Sequence, residues 1–77
     1  MSISWGQAAS MGLEELGRMD AEAAADARSE IVSWADNGQQ LGDIAHQFRA
    51  GPRGVHIDVA ANRAPNRKVT VVDVRFG

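Results

Sequence analysis

Ala50-Gly51-Pro52-Arg53-Gly54-Val55-His56-Ile57-Asp58-Val59-Ala60 is where the hydrophobic period of this 77-residue chain changes. Before Gly51 the apolar residues recur at helical spacing. After Gly54, Val55, Ile57 and Val59 alternate with His56, Asp58 and Ala60, the period of a half-buried strand. Downstream, Ala64-Pro65-Asn66-Arg67 places proline and asparagine at the centre of a turn, and β-branched residues resume from Lys68 to Phe76. The spacing predicts a hairpin of strands over about 55–60 and 68–76. Its second strand does not alternate cleanly: Val69 and Val71 fall on one face and Val72, Val74 and Phe76 on the other. That pattern implies a β-bulge near Val71-Val72 or burial on both faces.

Upstream, Ser4-Trp5-Gly6-Gln7 reads as a capping box opening a helix over about 5–16, with Ile3 and Ala8 placed for a hydrophobic staple and Gly17 as a stop. A single helix through to Asn37 would set Asp20 within the apolar stripe of Leu13, Leu16, Ala23, Ala27, Ile31 and Trp34. Reading Asp20 as an N-cap removes the conflict and starts a second helix over about 21–36, closed by Asn37-Gly38. Leu41, Ile44, Ala45 and Phe48, at i, i+3, i+4 and i+7, predict a short third helix over about 40–48. The expected fold is α+β, with two or three N-terminal helices packed on a C-terminal antiparallel β-hairpin in one domain spanning 1–77. Two strands alone are marginal in water, so the hairpin is expected to lie on the helices and to gain strands from another chain.

Composition narrows the function classes. Removing the 13 alanines from the 44% hydrophobic fraction leaves 21 large apolar side chains, a modest core for one small domain. With no cysteine, neither a disulfide framework nor a thiolate metal site is available. The start of the chain has no basic n-region, and no apolar run approaches the roughly 18 residues of a membrane span, so a cytoplasmic protein is expected. The net charge of −2 conceals two opposed halves. Residues 1–47 hold eight acids against Arg18 and Arg28, a balance of −6, whereas residues 48–77 hold six cations against Asp58 and Asp73, a balance of +4.

Catalytic chemistry finds little material. The chain has two histidines and no cysteine or tyrosine, and no serine stands in a recognisable catalytic context. Asp43 and His46 would share a face of the expected third helix, and His56 and Asp58 share the solvated face of the first expected strand. Neither pair brings the further ligands a metal needs. Gly51-Pro52-Arg53-Gly54 lacks the lysine and following helix of a phosphate loop and reads as a chain reversal, although Arg49 and Arg53 could meet an anion there. A non-enzyme without cofactor or metal is the expectation.

Three surfaces stand out for binding. Glu15, Glu22, Asp26 and Glu30 would line one outer stripe if the first two helices were continuous or nearly collinear, with Ser29 and Ser33 beside it. This stripe suits a protein partner with a basic surface. Arg63, Arg67 and Lys68 surround the hairpin turn and offer a nucleic-acid backbone three cations, without an aromatic at the tip for base stacking. Val72, Val74 and Phe76 would face a second copy or a larger assembly. The leading expectation is a protein-binding module that acts by surface occupation through its acidic helical face. A small inhibitor of a basic nucleic-acid-handling complex and a small subunit of a larger assembly, a viral one included, both fit. The alternative is a nucleic-acid-binding protein using the basic hairpin tip.

Overall fold

The computed structural model describes residues 2–38 and 40–77. Six elements follow in order: β1 (Ser2–Trp5), α1 (Gln7–Met19), α2 (Ala21–Asn37), β2 (Gly42–Ala50), β3 (Val55–Arg63) and β4 (Lys68–Phe76). The strands form one mixed sheet in the order β1-β4-β3-β2, with β1 parallel to β4 and the other neighbours antiparallel. The α+β class is as expected, with two helices and a four-stranded mixed sheet among the described residues in place of two or three helices and a hairpin.

Asp20 is the N-cap of α2, its side chain accepting a hydrogen bond from the Ala23 amide at 3.1 Å. Its extended backbone (φ −154°) separates the helices. They fold back on one another, so that Ser10, Leu13 and Glu14 share a crevice with Ala24, Ala25 and Arg28. Gly17 and the Ala24 methyl mark the close approach that small residues permit.

The capping box does not form. Gly6 is the N-cap of α1 and makes no side-chain cap bond. Ser4 instead lies in β1 opposite Thr70, because the peptide units of residues 2–5 extend beside β4. The Gly6 amide donates to the Val71 carbonyl at 2.8 Å and continues this pairing to the helix start. Ile3 and Trp5 pack against the core from β1.

The expected third helix over 40–48 is a strand. Ile44 and Phe48 are four residues apart, a spacing that fits period two as well as a helical turn, and in β2 they share one face with His46. Leu41 and Ala45, the other half of the supposed helical face, are exposed. Pairing to β3 along its whole length, from Gly42 opposite Arg63 to Ala50 opposite Val55, satisfies the backbone in a way that an isolated short helix does not.

The β3–β4 hairpin forms, and β3 runs on to Arg63. Ala60 pairs with Asp73 and Ala61 with Val71, leaving Val72 as the extra residue of a bulge. The bulge resets the alternation, so Val69, Val71 and Val74 all point into the core while Val72 is 49% exposed. Helices cover this face alone: Ala9, Leu13, Leu16, Ala23, Ala27 and Ile31 meet Ile57, Val59, Val71 and Val74. Ala35, Ala61 and Val69 extend the core, joined to it through Ile3 and Trp34. α1 rests on β4 so closely that a methyl group at Gly12 would collide with the Val74 carbonyl.

Candidate functional site

α2 and β2 meet at one edge of the sheet, and the acidic flank of the helix stands there. The Asp26 carboxylate accepts a hydrogen bond from the Gly51 amide at 2.9 Å, tying the β2–β3 turn to the helix. Glu30 Oε1 lies 3.4 Å from His46 Nε2. The His46 ring stacks on Trp34 with centroids 4.8 Å apart and, on its other side, on Phe48 at 5.1 Å. Asp26, Ser29, Glu30, Ser33 and Arg49 line a shallow polar depression along this flank. Arg49 also donates to the Gly54 carbonyl at 3.1 Å.

The four acids of the supposed stripe are not collinear. Glu22, Asp26 and Glu30 lie on α2, whereas Glu15 sits on α1, the other arm of the folded-back pair. All four are exposed. Asp43 and His46 do not share a face, since strand alternation sends Asp43 to the open side, where it accepts from Asn62 at 2.9 Å. His56 and Asp58 do share the open face, 3.1 Å apart. Among the described residues, no group of three His, Asp or Glu side chains could hold a metal ion.

The basic tip is smaller than the sequence implies. Arg67 and Lys68 are exposed at the turn, but Arg63 is only 4% exposed, and its Nη2 donates to the Ala35 carbonyl at 2.6 Å. A cation at the C-terminal end of α2 complements the helix dipole as well as its free carbonyls. The proposed assembly patch is divided. Val74 belongs to the intrachain core, Phe76 is half-buried against it, and Val72 alone is exposed.

Sequence reasoning missed the Trp34–His46–Phe48 stack and the position of β2 at the edge. The alternation of Ile44, His46 and Phe48 carried that signal, masked by the coincidence of helical spacing. Neither a family model, nor a curated protein, nor a solved structure matches the chain.

Proposed function

We propose that the chain is a non-enzymatic protein-binding module that occupies a basic partner surface through the acidic flank of α2. A small inhibitor of a basic nucleic-acid-handling complex or a small subunit of a larger assembly would work in this way. The observation that carries the reading is the alignment of Glu22, Asp26 and Glu30 on the helix that borders an unpaired strand edge. Charges so placed steer a basic partner toward a surface that can hold it. Nucleic-acid binding through the hairpin tip is the weaker reading, because Arg63 is turned inward and two exposed cations neutralise few phosphates.

The experiment is capture of partners from the native cell by the full chain, followed by the same capture with Glu22→Lys/Glu30→Lys. Basic proteins that bind the parent chain with steep salt dependence and are lost in the double variant support the reading. Equal capture by both chains overturns it. Salt-sensitive oligonucleotide binding that disappears in Arg67→Ala/Lys68→Ala would put the tip first.

A further inference from the structure

β2 is a sheet edge nine residues long, paired with β3 on one side only. Such an edge presents a row of main-chain donors and acceptors to any extended segment. The other edge, β1, is four residues long and parallel, and Arg28 covers its Trp5 with the guanidinium 5.3 Å from the ring centroid. The long edge is therefore bordered by Asp26 and Glu30, with Arg49 beside them held to the Gly54 carbonyl, and the short edge by a cation.

We infer that β2 receives an extended basic segment of a partner as a fifth strand, with cationic side chains on its helix-side face rising to Asp26 and Glu30. This rests on the acidic-flank reading above and specifies its geometry. Successive carboxylates on α2 are four residues apart, about 6 Å along the helix axis. Glu30 reaches His46 at the middle of β2 and Asp26 reaches the Gly51 amide just past its end, so cations on one face of an added strand, where side chains recur at about 6.6 Å, would meet these two carboxylates along the second half of the edge. The same side chains would lay their methylene stems over Ile44 and Phe48, which are half-buried on the helix side of β2.

A second copy fits less well. Pairing β2 with itself over its full length would set Gly42 opposite Ala50 and place both α2 helices on the same side of the sheet. Asp43 would then meet Arg49 across the open face, but Asp26 and Glu30 of the two copies would confront one another. The acids thus discourage self-pairing while they favour a basic strand.

The test uses the full chain and a capped nine-residue peptide in which lysine and threonine alternate. Two controls have the same charge: a block peptide of identical composition, and the alternating peptide N-methylated on alternate backbone nitrogens, made in both phases. The alternating peptide should bind and slow amide exchange in β2. One N-methylated phase should bind about tenfold more weakly while the other is nearly unaffected, because only one set of amides faces the chain. The block peptide should also lose about tenfold. If all four peptides bind alike, charge alone acts, so strand addition is overturned while the acidic-flank reading survives. If binding is unchanged in Glu22→Lys/Glu30→Lys, both fail. Absence of binding by any peptide at about millimolar concentration overturns strand addition. So does a free dimer whose β2 amides are already protected, which would make a second copy the occupant.

Discussion

Gly51 meets two independent demands. Its φ of 76° lies in the left-handed region, and a Cβ there would stand 2.9 Å from the Cα and Cβ of Ala23 on α2. Gly51→Ala should therefore cost about 2–4 kcal/mol, combining backbone strain with a clash that only moving the turn can relieve. Urea unfolding of the variant measures it. Arg63 and Arg67, four residues apart, should respond in opposite directions. Arg63→Ala removes a charge-assisted bond to the Ala35 carbonyl and should lose about 1.5–3 kcal/mol. Arg67 has φ 65° with an exposed side chain, so Arg67→Gly should be neutral or stabilise by up to about 1 kcal/mol. Thermal melts of the two variants, shifted in opposite senses, would establish that only one of these arginines belongs to the turn surface.

Among the elements, α2 depends on its cap and β2 on its neighbours. Asp20→Ala removes the acceptor for the Ala23 amide and should lower stability by about 1 kcal/mol, measured by chemical denaturation followed with circular dichroism. Asp20 was legible in the sequence because an acid within an apolar stripe conflicts with a continuous helix. β2 was not legible. Its apolar residues at 44 and 48 satisfy both periods, and the choice between them is made by pairing with β3 and by Trp34 stacking on His46. β1 was hidden for a related reason: Ser4 and Gln7 have the spacing of a cap, yet β4 takes residues 2–5 as a parallel neighbour. The bulge was legible as one of two causes of the broken alternation at Val71-Val72, and the register shift opposite Ala60 and Ala61 selects it over burial on both faces.

For the whole molecule, the covered face is apolar and the open face mostly polar. The homo-oligomer expected from a two-strand hairpin loses much of its basis because β1 covers the free edge of β4 and the core takes Val74. Light scattering should therefore find the free chain monomeric at micromolar concentration, with larger species only when a basic partner is present. Reversing Glu22 and Glu30 to lysine moves the net charge by four units and should cost about 1 kcal/mol of stability, since Glu22 lies in the first turn of α2 and Glu30 faces His46. Association with a basic partner should slow strongly and lose its salt dependence, readable in stopped-flow mixing of the purified pair.

The sequence by itself determined the α+β class, the Asp20 break, α2 and the β3–β4 hairpin, because each is written in local chemistry: a capping carboxylate, a turn pair, a β-branched run, whose one misplaced phase narrowed the second strand to a bulge or burial on both faces. It also located the acidic residues along the chain. Tertiary structure decided which of those acids share a border with an unpaired strand, and it drew Arg63 from the supposed fingertip to the end of α2. It also chose strand over helix for residues 42–50. These outcomes depend on what lies opposite in space: a strand edge, a free carbonyl, a stacking ring. No periodicity along the chain encodes that proximity.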